Sequence, residues 1–90
     1  MKDGQPRDAV FDPVFREDLR FWVRTNPRTA LKVLRLVDAV HRDPFDGLGK
    51  PEPLRHRLAG TWSRRIDKEN RLVYQVDDDR VYFLAARYHY

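Results

Sequence analysis

The apolar positions of this 90-residue chain change period along its length. Ala9, Val10 and Phe11 form a brief apolar run that predicts a short strand over residues 8 to 11. Asp12-Pro13 then reads as an N-cap followed by proline at the first helical position. Phe15, Leu19 and Trp22 recur at helical spacing, and Arg16, Glu17, Asp18 and Arg20 are expected off that stripe. Asn26-Pro27 repeats the cap-and-proline signal, so a first helix ends near Arg24 and a second starts at once. Ala30, Val33, Leu34, Val37 and Val40 or His41 give its apolar face, with His41 read as a packing residue, and Asp43-Pro44 stops it. Two helices so tightly joined predict an antiparallel hairpin.

The segment P-F-D-G-L-G-K-P-E-P is too rich in Pro and Gly for regular structure over most of its length. Phe45 and Leu48 are expected to pin it to the core, and a short strand is expected from Leu54 to Leu58 before an Ala59-Gly60 turn. From Thr61 the period becomes two. Trp62, Arg64 and Ile66 face one way, and Thr61, Ser63 and Arg65 the other. In residues 71 to 76, Leu72, Tyr74 and Val76 oppose Arg71, Val73 and Gln75. Asp67-Lys68-Glu69-Asn70 and Asp77-Asp78-Asp79 read as turns, and residues 80 to 88 as the last, most apolar and central strand. The expected fold is α+β: a short N-terminal strand and a helix hairpin packed on one face of a mainly antiparallel sheet of four to five strands. The other face is left free to carry function.

Two Trp, four Tyr and five Phe are enough for one core, so residues 1–90 read as a single domain with residues 1–7 as a disordered lead-in. The absence of cysteine excludes disulfides, cysteine-ligated zinc and thiol nucleophiles, and fits a reducing, cytoplasmic setting. No apolar run approaches the roughly 20 residues that span a bilayer, and M-K-D-G-Q-P-R-D lacks the apolar segment of a signal peptide. The net charge is +4, and residues 50–71 carry an excess of the same size: Lys50, Arg55, Arg57, Arg64, Arg65, Lys68 and Arg71 against Glu52, Asp67 and Glu69. Charge so localised suggests an anionic partner such as nucleic acid, with a merely solvated basic face as the plain alternative.

Within that segment the residue types suit RNA cleavage. The 2′-hydroxyl beside the scissile phosphate is a nucleophile that the substrate brings. A protein must take its proton, protonate the 5′-oxygen leaving group and stabilise the phosphorane. Glu52, framed by Pro51 and Pro53 and near Lys50 and Arg55, is a candidate base; the alternative is an ordinary exposed loop glutamate. Arg65 and Arg71 share a face if the 67–70 loop closes a hairpin, and their forked donors suit a phosphate; the alternative is pairing with Asp67, Glu69 or other surface acids. His89, with an ordinary pKa of about 6.5, is a candidate acid. It lies second from the end, where a frayed tail is the alternative, but Tyr88 and Tyr90 bracket it. His56 reads as a phosphate or base contact or as plain surface. Lys50, Arg55, His56, Arg57, Arg64 and Lys68 make up the expected RNA-binding set. No H-E-x-x-H, phosphate-binding glycine loop or G-x-S-x-G context is present, and neither a metal nor a cofactor is expected.

G-K-P-E-P-L-R-H, L-A-G-T-W-S-R-R-I, R-L-V-Y-Q-V and the terminal A-A-R-Y-H-Y together closely resemble the YoeB (Txe/YoeB) toxins of bacterial toxin–antitoxin pairs, in the RelE-like superfamily with its microbial-RNase-like fold. The resemblance spans residues 44–90, and the helices agree in pattern and length. It implies a ribosome-dependent mRNA endonuclease that cuts codons in the A site, amid 16S rRNA, without a metal. It places the general base on Glu52, the general acid on His89, the transition-state arginine on Arg71, a supporting phosphate arginine on Arg65 and a positioning tyrosine on Tyr90. Arg55 stands where the family usually has lysine, and Asn70 where it has histidine. The resemblance also implies a YefM-type antitoxin of the Phd class whose tail wraps the toxin, and it leaves room for a homodimer. Two other readings use the same basic face: a non-enzymatic RNA- or ribosome-binding inhibitor of translation, and a DNA-binding regulator, which lacks a recognition helix.

Overall fold

Five strands and two helices follow in the order β1 (Asp8–Phe11), α1 (Pro13–Thr25), α2 (Pro27–Arg42), β2 (Glu52–Pro53), β3 (Thr61–Arg65), β4 (Arg71–Val76) and β5 (Arg80–Ala85) in the computed structural model, which describes residues 6–55 and 58–88. The helix boundaries follow from the caps. The Asp12 carboxylate accepts the Val14 N–H at 2.9 Å, and Pro13 opens α1. Asn26 does double duty: its N–H donates to the Trp22 carbonyl at 2.7 Å to close α1, and its side chain accepts from the Thr29 N–H at 3.4 Å to open α2. One residue serving as both caps leaves no slack between the helices, which therefore turn back on each other.

The sheet order is β1-β5-β4-β3-β2, with β1 parallel to β5 and the other pairs antiparallel. The expected α+β architecture is what forms: two helices on one face of a mixed five-stranded sheet. Phe15 and Trp22 of α1 and Val33 and Leu36 of α2 pack with Leu72 and Phe83 of the sheet. The rings of Phe11, Phe15 and Phe83 lie 5.2–5.9 Å apart between centroids, tying β1 and α1 to β5. No helix among the described residues is long and apolar enough to cross a membrane.

Several expectations are corrected. The strand expected at residues 54–58 is instead Glu52–Pro53, because Pro53 can sit on an edge strand where no partner needs its missing N–H. β5 ends at Ala85 rather than 88, and β4 occupies the middle of the sheet. In α2, Leu36 is buried and Leu34 is exposed, so the apolar stripe is rotated relative to the expected one. His41 is exposed, and its imidazole contacts the Arg7 carbonyl instead of packing in the core. Asp18, expected off the stripe, is 3% exposed. Phe45 and Leu48 are about half exposed, so the contact of Phe45 with Trp62, ring centroids 5.3 Å apart, pins the loop at residues 43–50 only in part.

That loop is held by polar groups. Arg64, expected to contact RNA, has no exposed surface. Its Nη1 donates to the Leu48 carbonyl at 3.0 Å, and its Nη2 to the carbonyls of Asp46, at 3.0 Å, and Asp43. Its Nε donates to the Tyr74 hydroxyl at 3.1 Å, and that hydroxyl donates to the Pro44 carbonyl at 2.7 Å. A buried guanidinium is tolerated only when its donors are met, and three loop carbonyls plus one phenol meet them here. Gly47 and Gly49 pass close to this side chain, and both have positive φ. A Cβ on Gly49 would come within 2.8 Å of Leu36 Cδ2 and 3.2 Å of Arg64 Cβ.

Gly49→Ala is expected to cost about 2–3 kcal/mol, from the left-handed backbone and the clash, and to lower the melting temperature by roughly 10–20 °C for a domain of this size. A thermal melt checks it. Tyr74→Phe orphans both the Pro44 carbonyl and Arg64 Nε, and is expected to cost about 2 kcal/mol in a denaturant titration at neutral pH. Burial pushes the Tyr74 phenol above its ordinary range, against the opposing pull of its Arg64 hydrogen bond. A folded pKa above the unfolded one gives stability that is complete below about pH 10 and lost as pH rises through the folded value. The wild type is therefore expected to lose stability there through a contribution that Tyr74→Phe lacks.

Candidate active site

The loop gripped by Arg64 leads directly into the candidate base. The Arg65 N–H donates to the Gly49 carbonyl at 2.7 Å, and Lys50 follows with φ of 53°, the single positive φ among described residues other than glycine. Two successive left-handed residues turn the chain sharply, and Pro51-Glu52-Pro53 then lies along β3 with Glu52 opposite Ser63 and Pro53 opposite Trp62. The bend carries a backbone cost that the loop's anchors must offset.

Across the β3–β4 hairpin, Arg65 stands directly opposite Arg71, and Ser63 opposite Val73. Strand parity therefore puts Glu52, Ser63, Arg65 and Arg71 on the face away from the helices. Arg71 Nη1 lies 3.2 Å from Glu52 Oε1 and 3.5 Å from Ser63 Oγ. Arg71 is mostly covered, with 22% of its side chain exposed, while Glu52 at 57% stays open to solvent. Ser63, Val73 and Ala85 are buried as the floor of this face.

The pairing of Arg71 with Glu52 replaces the alternative in which Arg71 joins a hairpin-loop acid. Asp67 is already used within its loop: Oδ1 accepts from the N–H groups of Glu69 and Asn70 at 2.9 and 2.8 Å and from the Asn70 side-chain amide. Burial alone would raise the Asp67 carboxyl, but these hydrogen bonds outweigh it and hold it below the ordinary range. The hairpin is thereby closed by its own side chains, which leaves both arginines to the open face.

Lys50, Arg55 and Lys68 are exposed around this face, and Arg65 is exposed beside Arg71. Arg64 is removed from the binding set by its burial. His56, Arg57, His89 and Tyr90 lie outside the described residues. Tyr88, the last described residue, is 63% exposed. A cleft of about 440 Å³ lined by Arg35, Asp38, Arg42 and Asp46 among others contains none of the candidate residues. Ser63 was not singled out by any motif, yet its hydroxyl meets Arg71; the alternation of β3, which sets it beside Arg65, carried that signal.

Chemically, the face holds a carboxylate within salt-bridge distance of a partly desolvated guanidinium, with a second guanidinium opposite. A phosphate entering between the arginines would compete with Glu52 for Arg71 and leave the carboxylate free to accept a proton.

The family model for the YoeB-like toxin of bacterial type II toxin–antitoxin system matches residues 11–90. A protein named Toxin YoeB from Mycobacterium bovis is 54% identical over 84 residues, covering 93% of this chain and 99% of its own. The solved structure of a YoeB/ParE toxin from Agrobacterium tumefaciens superposes with a TM-score of 0.85 at 42% identity, over 92% of this chain and 99% of that one. A chain in the heterotetrameric YoeB–YefM toxin–antitoxin complex from Staphylococcus aureus gives 0.80 at 34% identity, over 96% and 100%. With its helix hairpin, its sheet and nearly its whole length accounted for by these relatives, the chain belongs to the YoeB-like toxins of bacterial type II toxin–antitoxin systems.

Proposed function

We propose that this toxin is a ribosome-dependent endoribonuclease that cuts mRNA in the A site without a metal and so stops translation. The observation that carries the reading is the pairing of Glu52 with Arg71 at 3.2 Å on an exposed sheet face rimmed by Lys50, Arg55, Arg65 and Lys68.

Glu52 takes the proton of the 2′-hydroxyl, whose oxygen attacks the adjacent phosphorus. Arg71 and Arg65 receive the charge that builds on the phosphorane oxygens, where preorganised donors count most. The bond from phosphorus to the 5′-oxygen breaks, and His89 donates the proton which that oxygen needs. The products are a 2′,3′-cyclic phosphate and a 5′-hydroxyl. Tyr90 helps to position the substrate. Lys50, Arg55, His56, Arg57 and Lys68 hold the mRNA and the surrounding 16S rRNA through their phosphates. This reading puts the protein at the translating ribosome, in the cytoplasm. The antitoxin is a YefM-type protein of the Phd class, in line with the YefM found with the S. aureus relative.

Glu52→Gln is expected to lower the rate of ribosomal mRNA cleavage by about 10²- to 10⁴-fold, the usual loss for a general base. Its melting temperature should stay within a few degrees of wild type, since an exposed ion pair contributes about 0–1 kcal/mol. Arg71→Lys keeps the charge but loses the fork, and is expected to slow cleavage as well. Primer extension maps the cuts, and end-group analysis identifies the products. Translation blocked by Glu52→Gln with no cut mRNA would replace this reading with inhibition by occupancy, and a 5′-phosphate product would replace the mechanism.

A further inference from the structure

Past the end of β5, Ala86 and Arg87 leave the sheet and are both fastened to α1. Both backbone polar groups of Ala86 are taken by α1 side chains. Its N–H donates to Asp18 Oδ2 at 2.9 Å, and its carbonyl accepts from Trp22 Nε1 at 2.8 Å. The Arg87 guanidinium lies 3.7 Å above the ring of Phe21, with the Tyr88 ring 5.4 Å away. Arg87 Nε is buried without a hydrogen-bond partner among the described residues, so stacking, not pairing at Nε, fixes that group. Asp18 is 3% exposed and Trp22 is 9% exposed.

Core packing alone does not require this arrangement. A buried carboxylate is costly and could have been an apolar residue on the Phe15–Trp22 stripe. It sits where the chain leaves its β-ladder, and where the N–H of Ala86 would otherwise be an orphan in the interior. A carboxyl acceptor and an indole donor gripping the two peptide groups that flank the Ala86 Cα fix the position and the direction in which the chain departs. The residues that follow are Tyr88, His89 and Tyr90.

We infer that Asp18 and Trp22 are positioning residues for protonation of the leaving group, acting through their hold on Ala86 on the chain that leads to His89. This rests on the reading of His89 as the general acid. The two residues touch neither substrate nor scissile phosphate, and act through the last few residues of the chain.

The test compares a natural mRNA with one carrying a single bridging 5′-sulfur at the cut position, in single-turnover assays on programmed ribosomes. A thiolate departs without a proton, so a defect in general acid catalysis disappears on the sulfur substrate while a defect in the base does not. Asp18→Ala is expected to cleave the oxygen substrate about 100-fold more slowly, the scale of loss from a small misplacement, and the sulfur substrate within about threefold of wild type. Asp18→Asn, which keeps an oxygen acceptor for the Ala86 N–H, should recover most of the rate. Trp22→Phe removes only the indole donor and serves if Asp18→Ala fails to fold; it should show the same selective defect. His89→Ala is expected to be rescued by sulfur, and Glu52→Gln is not. Equal losses of Asp18→Ala or Trp22→Phe on both substrates, with His89→Ala rescued, would overturn the positioning role. A His89→Ala defect untouched by sulfur would instead overturn the assignment of His89 as the acid.

Discussion

The guanidinium of Arg64, sealed between the sheet and the loop after α2, is the interaction on which the candidate site depends. Left unpaired in the interior it would cost several kcal/mol. It is paired by the carbonyls of residues 43, 46 and 48 and by Tyr74, whose hydroxyl also holds the carbonyl of Pro44. The loop cannot move without exposing these groups to one another unpaired. That rigidity carries forward through Gly49, bonded to Arg65, and the left-handed Lys50, to Glu52. Adjacent arginines thus divide the labour. Arg64 points inward and fixes the loop, and Arg65 points outward beside Arg71.

The face that results is assembled from pieces far apart in the chain. Glu52 comes from a two-residue edge strand, and Arg65 and Arg71 from a hairpin closed by the Asp67 side chain. Each piece is anchored on the helix side of the sheet or within its own turn, and Glu52, Arg65 and Arg71 lie on the other side. Helix packing thereby bears on the candidate site at a distance. The side chains of α1 grip Ala86 from beneath, and those of α2 back the loop through Leu36, which lies against Gly49.

Local signals were strong enough to be read directly. Asn26-Pro27 and Asp12-Pro13 stated where the helices begin, because a cap and a fixed proline φ act within a few residues. The alternation from Thr61 to Val76 placed Arg65 and Arg71 together and away from Tyr74, as the register confirms. That same alternation had put Arg64 with Trp62 and Ile66 on the inner face, yet its charge suggested an RNA contact. Asp18 follows the same pattern: its spacing between Phe15 and Trp22 fits a buried stripe, whereas its residue type suggests exposure.

What the sequence determined by itself is the set of elements, the parity of each strand and the family likeness, since these rest on short-range periodicity and on motifs such as P-E-P and W-S-R-R-I. Only the tertiary structure decided which polar residues are buried to hold the backbone and which stay exposed to act. It also decided that Arg71 closes on Glu52 rather than on a hairpin acid, and that β2 falls at Glu52–Pro53. The physical reason is that burying a charge is favourable only when specific partners converge on it, and here those partners are carbonyls and side chains 10 to 68 residues away. No local pattern encodes such a convergence; it exists only once the helices have closed over the sheet.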